Sequence, residues 1–215
     1  MDLLVATRSA HKLQEIRRIL GAVAGLRVLD LNGAGIPAEP AEDDLEPYET
    51  FEENALSKAR YFHGRSGMAT VADDSGLAVD ALGGAPGVRS KRFAPDTGLD
   101  GGPRDRANNE HLLARLGDRP LPERTAKYVC VAALIGVGDE AIFRGEALGL
   151  ILGMPKGRGG FGYDPLFYDR ELGVTFAQIS PTEKNARSHR GKAFRAMADY
   201  LGQRSRNSST EGEGA

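Results

Sequence analysis

Leu3-Leu4-Val5-Ala6-Thr7-Arg8-Ser9-Ala10-His11-Lys12-Leu13-Gln14-Glu15-Ile16-Arg17-Arg18-Ile19-Leu20 changes its hydrophobic period within a few residues. Residues 3–7 form a short, small-residue apolar run of strand length. Leu13, Ile16 and Leu20 then recur at helical spacing, so a buried strand passes through a turn into an amphipathic helix over roughly 9–21. A strand feeding directly into a helix begins an α/β layer.

Downstream the two periods interleave without strict alternation. Arg27 to Leu31 reads as a strand, followed by a loop rich in Pro and Glu through Pro47. Thr50-Phe51-Glu52-Glu53 is a capping box opening a helix to about Phe62. Segments 68–73 and 77–82 are expected strands flanking an acidic turn at Asp73-Asp74-Ser75-Gly76, and 83–103 is expected to be largely loop. A helix follows from about Asp105 to Leu116, then a long hairpin over 127–137 and 140–152. Short strands are expected at Pro165–Tyr168 and Val174–Ile179. Ser180-Pro181-Thr182-Glu183 caps a last helix to about Gly202. The polar, aperiodic residues 203–215 are expected to be a disordered tail. The whole predicts an α/β fold with a mixed β-sheet and flanking helices, a single domain over 1–202.

Hydrophobic residues make up 40% of the 215, enough for a core, yet no apolar run nears the ~20 residues of a membrane span. The N-terminus reads as a first strand and not as a signal peptide. The single cysteine, Cys130, leaves no internal disulfide, so a cytoplasmic protein is expected. Net charge of −2 argues against nucleic acid as a partner. The charge is nevertheless segregated: Glu39 to Glu53 carries acidic residues and no Lys or Arg, while Lys184, Arg187, Arg190, Lys192 and Arg195 cluster late. Separate acidic and basic clusters suit a metal–polyphosphate ligand.

Val71-Ala72-Asp73-Asp74-Ser75-Gly76-Leu77 ends an apolar segment with two carboxylates. Such groups either hold a hard cation and take a proton from water or are simply solvated. The turn Thr7 to Lys12 offers helix N-terminal N–H groups beside a lysine, an anion site. Phe161-Gly162-Tyr163-Asp164-Pro165 is either a tight turn packed on the core or a platform for a flat base, with Asp164 free to bond its polar edge. Lys184 and Ser188 are four apart and would share a helix face near Arg187 and Arg190. Gly157 to Gly162 matches G-x-G-x-x-G only weakly, since no helix is expected after it.

These pieces, in this order, resemble the inosine triphosphate pyrophosphatase family. The resemblance is carried by Val5-Ala6-Thr7 with Lys12, Thr50-Phe51-Glu52-Glu53-Asn54-Ala55, Ala72 to Leu77 and Leu82-Gly83-Gly84-Ala85-Pro86-Gly87. It continues with Gly160 to Pro165 and Glu183-Lys184 followed by Ser188-His189-Arg190-Gly191. It implies an elongated two-lobed fold around a central cleft, usually a homodimer. It also implies Mg²⁺-dependent cleavage of dITP, ITP and XTP, small-molecule substrates, to a nucleoside monophosphate and pyrophosphate. By position, Asp74 would be the proton acceptor and a metal ligand, and Glu46 the other ligand. Asp73 is left as a second-sphere group or alternative ligand. Thr7, Arg8, Ser9, Ala10, His11, Lys12, Ser75 and Lys184 would hold the nucleotide. Phe161, Gly162, Tyr163, Asp164, His189 and Arg190 would enclose the base. The usual Thr-Gly-Asn of the first loop is replaced here by Thr7-Arg8-Ser9, leaving the contacts of Arg8 and Ser9 open. The rival readings are a pyrophosphatase for modified pyrimidine triphosphates and a nucleotide-binding regulator without catalysis.

Overall fold

The computed structural model describes residues 1–95 and 98–211, with side chains as far as 204. Its strands are β1 (Asp2–Val5), β2 (Arg27–Asp30), β3 (Ala69–Val79), β4 (Thr125–Ile135), β5 (Ala141–Ile151), β6 (Phe167–Asp169) and β7 (Val174–Thr175). Its α-helices are α1 (Ala10–Leu20), α2 (Phe51–Ser66), α3 (Gly101–Leu116), α4 (Pro181–Arg187) and α5 (His189–Glu211). The strands form one mixed sheet in the order β2-β1-β3-β4-β5-β6-β7. β1 lies between two parallel partners, Leu4 opposite Leu29 of β2 and Val5 opposite Val71 of β3. β6 pairs antiparallel with both β5 and β7. The expected mixed-sheet α/β class is borne out.

The chain divides into two units. The first comprises Met1–Asp74, Val131–Gly145 and the chain from Arg190; the second comprises Ser75–Cys130 and Glu146–His189. In the first, Leu3, Leu4, Val5, Ile16, Leu20, Ala55, Ala59, Phe62, Phe194 and Met197 are buried. In the second, Leu77, Val79, Leu112, Leu116, Tyr128, Ile151, Tyr163, Leu166, Phe167 and Phe176 make one cluster. Each such Leu or Phe contributes about 1.5–3 kcal/mol by leaving water.

Four local expectations are corrected. No turn follows Asp74: β3 runs unbroken through Asp73, Asp74, Ser75 and Gly76 to Val79. Ser-Gly favours turns in isolation, but here eight of the eleven strand residues are buried and tertiary pairing decides. The last helix is also not continuous. Ser188 has extended backbone, φ −66° and ψ 157°, and separates α4 from α5. Ser188 therefore does not share a helical face with Lys184. α2 runs one turn past Phe62 and stops where Gly67 turns left-handed at φ 65°. α5 extends to Glu211, beyond Gly202; residues 212–215 of the expected tail, and 96–97 of the expected loop, lie outside the described residues.

Candidate active site

Thr7 and Ser9 shape the turn that presents Lys12. Thr7 Oγ1 accepts the Ser9 N–H at 3.2 Å, and Ser9 Oγ accepts the Lys12 N–H at 3.3 Å, capping α1. Among the described residues only glycines have positive φ, so the turn is made at Arg8 without a left-handed backbone. Lys12 Nζ reaches Asp73 Oδ2 at 3.1 Å.

Asp73 and Asp74 are successive strand residues, so they leave β3 on opposite faces and meet different partners. Asp73 faces Lys12 and the Arg190 guanidinium, whose Nη2 and Nε lie 3.3 and 3.4 Å from Oδ2. Arg190 Nη1 also donates to Glu15 at 2.5 Å. Lys58 of α2 donates to the Asp73 carbonyl at 2.6 Å and pairs with Glu46. Asp74 instead accepts from Asn54 Nδ2 at 3.0 Å. The same amide brackets Tyr48, donating to its carbonyl at 3.1 Å and accepting its N–H at 2.9 Å. Glu46 stands two residues before that anchor.

Burial alone would raise both carboxyls. At Asp73 the charges of Lys12, Arg190 and Lys58 outweigh it and hold the group ionised, well below the usual carboxylate range. At Asp74 burial prevails: Lys12, Lys58 and the Asn54 bond oppose it, Glu46 adds repulsion, and the group is pushed up to about 6. Glu46 stays below its ordinary value because Lys58 and Lys12 outweigh burial. Lys58 is raised because Glu46, Asp73 and Asp74 outweigh burial. Of two adjacent carboxylates, one is permanently charged and the other exchanges a proton near neutrality.

No three His, Cys, Asp or Glu side chains gather into a metal cage among the described residues. Glu46 and Asp74 are a narrower pair of carboxylates that could offer hard oxygen donors, and their mutual repulsion contributes to the Asp74 shift. Mg²⁺ is commonly held by one or two carboxylates with water and substrate completing its shell, so this donor set fits it.

The second unit gathers a different chemistry. Asp164, 2% exposed, accepts the Phe161 N–H at 2.9 Å, pairs with Lys184 and lies 3.4 Å from the Tyr128 hydroxyl. Lys184 Nζ sits 4.6 Å from the centroid of the half-buried Phe161 ring. His189 stacks on Tyr128, centroids 4.5 Å apart and planes within 8°. Gly162 is held at both ends, its N–H donating to Asp105 Oδ2 at 2.8 Å and its carbonyl accepting from Asn109 at 2.9 Å.

The profile of the Ham1 family matches residues 3–200. The chain belongs to the Ham1 family. It is 48% identical over 199 residues to the dITP/XTP pyrophosphatase of Mycobacterium tuberculosis, covering 93% of this chain and 94% of that one. It is 45% identical over 201 residues to that of Geobacter sulfurreducens, covering 93% and 96%. Among solved structures, a HAM1 protein from Coxiella burnetii superposes with a TM-score of 0.80 at 33% identity, covering 94% and 99%. A nucleoside-triphosphatase / dITP/XTP pyrophosphatase from Mycobacterium abscessus gives 0.69 at 42% identity, covering 92% and 98%. The resemblance read from the motifs is borne out.

The Ham1 chain distributes its expected site residues unevenly. Thr7, Ser9, Lys12, Glu46, Asp73 and Asp74 converge in the first unit; Ala10 and His11 lie exposed on the first turn of α1. Arg8 turns to the segment 32–42, and Arg190 to Asp73 and Glu15. Ser75 follows Asp74 along β3, half-buried. Phe161, Gly162, Asp164, Lys184 and His189 gather in the second unit. Tyr163 is core, 3% exposed, its hydroxyl donating to the Ser90 carbonyl at 2.9 Å. The Asp164 carboxylate, expected to meet a base edge, is engaged by its own loop and Lys184. Asn54, Lys58, Glu15 and Tyr128 were missed. Asn54 and Lys58 are i,i+4 on α2, and Lys12 and Glu15 i,i+3 on α1, a spacing that marks a shared face.

Proposed function

We propose that this chain is a Mg²⁺-dependent nucleoside triphosphate pyrophosphatase for deaminated purine nucleotides. It would cleave dITP, ITP and XTP to the monophosphate and pyrophosphate, keeping them out of DNA and RNA. The observation that carries this reading is the divergence of Asp73 and Asp74, which leaves one buried carboxyl poised near pH 6 beside Glu46. The dITP/XTP pyrophosphatase relatives, 42–48% identical, support the substrate class.

Glu46 and Asp74 would hold the cation, which when bound would supply charge neutralisation for the polyphosphate. Asp74 accepts the proton of the attacking water, and Asn54 fixes the oxygen that is not needed for that transfer. Asp73 does no proton chemistry; its fixed charge holds the Lys12 ammonium in place for the phosphates. In the second unit Phe161 offers a flat apolar surface for a purine, Lys184 supplies a cation beside it, and His189, ordered by Tyr128, presents its imidazole edge. A site that hydrogen-bonds a keto edge rejects adenine by ~10⁴ or more. The reading includes a homodimer, as the family resemblance implies, and a cytoplasmic location, as the single cysteine suggests.

Pyrophosphate release from ITP, XTP and dITP, with dUTP and GTP as competitors and with Mg²⁺ withheld in parallel, tests it. Faster turnover of dUTP than of ITP would favour a pyrimidine enzyme, and no release from any nucleotide would sink the proposal.

A further inference from the structure

Arg8 stands in a turn whose backbone suits phosphate, yet its guanidinium faces elsewhere. It forks onto Glu42 at 2.7 and 2.9 Å, donates to the Pro37 carbonyl at 2.9 Å and the Ile36 carbonyl at 3.1 Å, and reaches Asn32 Oδ1 at 3.4 Å. A planar fork with five donors is the side chain that can serve a carboxylate and two carbonyls together. Glu42 also accepts the Glu39 N–H at 3.2 Å, closing the capping box of the short 3₁₀ turn Pro40–Asp44. Arg8 therefore fastens the whole turn by its own cap. Four residues beyond Glu42 comes Glu46, and two residues later Asn54 grips the Tyr48 backbone from the other side. The segment carrying Glu46 is bolted at both ends by side chains from outside it.

We propose that Arg8 is a positioning residue for Glu46: by pinning the segment 36–42 to the turn before α1, it sets how tightly the Glu46–Asp74 pair binds a divalent cation. This rests on the metal-dependent reading above and deepens it. It gives Arg8 a task at the carboxylates, acting through Glu42, and none at the phosphates.

The test is a double-mutant cycle of Arg8→Ala, Glu42→Ala and both together, with Arg60→Ala as a control that removes a surface pair with Glu140. Amide hydrogen exchange of the peptides spanning 36–48 is read without metal or nucleotide, Mg²⁺ affinity by calorimetry without nucleotide, and kcat and KM at saturating Mg²⁺. A half-exposed pair of this kind supports about a fivefold change. Each single variant should weaken Mg²⁺ binding by about fivefold and speed exchange over 36–48, with the double variant no worse than either. KM for the nucleotide at saturating Mg²⁺ should hold, and the control should match wild type. The proposal is overturned if the two effects add, if exchange is unchanged, or if Arg8→Ala raises KM with Mg²⁺ affinity intact, which would make Arg8 a phosphate contact. Wild-type protein that neither binds Mg²⁺ nor hydrolyses nucleotide would defeat the metal-dependent reading itself; unchanged exchange in the variants defeats the Arg8 clamp alone.

Discussion

Replacing Arg190 by Met asks whether this residue belongs to the base or to the carboxylates. Its side chain is 2% exposed and its guanidinium spans Glu15 and Asp73, at 2.5 and 3.3 Å. Methionine matches much of the aliphatic length and removes the charge, leaving Lys12 and Lys58 to face Glu15, Glu46, Asp73 and Asp74. Breaking a buried ion pair from one side costs about 3–5 kcal/mol, because the remaining carboxylates stay dehydrated without their partner. For a chain of this size each kcal/mol moves the melting temperature by roughly 2–4 °C, so a fall of about 6–20 °C is expected. Adding Glu15→Gln should restore part of the loss by removing one stranded charge. Thermal and urea unfolding of wild type, Arg190→Met and the double variant measure this, with KM for ITP alongside. Unfolding free energy unchanged to within about 0.5 kcal/mol, the range of an ordinary surface substitution, with a raised KM, would refute the argument and return Arg190 to the base.

Asp74 carries a pH signature. Its folded pKa is raised, so the metal-free protein gains stability from protonating it, fully below the unfolded value near 3.8 and lost as pH rises through about 6. That swing is about 3 kcal/mol and should vanish from the pH dependence of unfolding in Asp74→Asn, which should also lose ~10²–10⁴ in kcat. Protons and Mg²⁺ compete for the same oxygens, so Mg²⁺ affinity measured by calorimetry should rise with pH up to about 6 and then level off. A pH-independent affinity would remove Asp74 from the ligand set. Gly160→Ala places a Cβ 2.0 Å from Asp164 Oδ2 at a φ of +70°. It should displace Asp164 from Lys184 and cost on the order of 1–3 kcal/mol in stability, visible as a lowered melting temperature; an unchanged one would show that the loop yields freely.

What was legible in the chain was local. Thr50 and Ser180 cap helices as their sequences indicate, since each satisfies an N–H only three residues away. The acidic turn was misplaced because Ser75-Gly76 favours a bend by itself, whereas burial along β3 is a property of the assembled sheet. The break at Ser188 had a signal, for a serine in extended backbone ahead of a helix is an ordinary N-cap, but a serine among helix formers reads equally well as helix. At the site, the family resemblance points to Asp74 and Glu46, and nothing in the sequence reveals the partners that surround them. Arg190 and Glu15 are 175 positions apart, and no periodicity connects such residues. Asp164 looked available for a ligand because the N–H of Phe161 and the amine of Lys184 are invisible until the loop closes on it.

Asn54 occupies a position with little mutational freedom. Its amide donates to Asp74 and to the Tyr48 carbonyl and accepts the Tyr48 N–H. Aspartate is nearly its isostere, yet it keeps the acceptor, loses both donors and sets a third negative charge against Asp74 and Glu46. Glutamine keeps the chemistry but carries it a methylene too far along α2. The two replacements nearest to asparagine in chemistry are thus among the worst for this position.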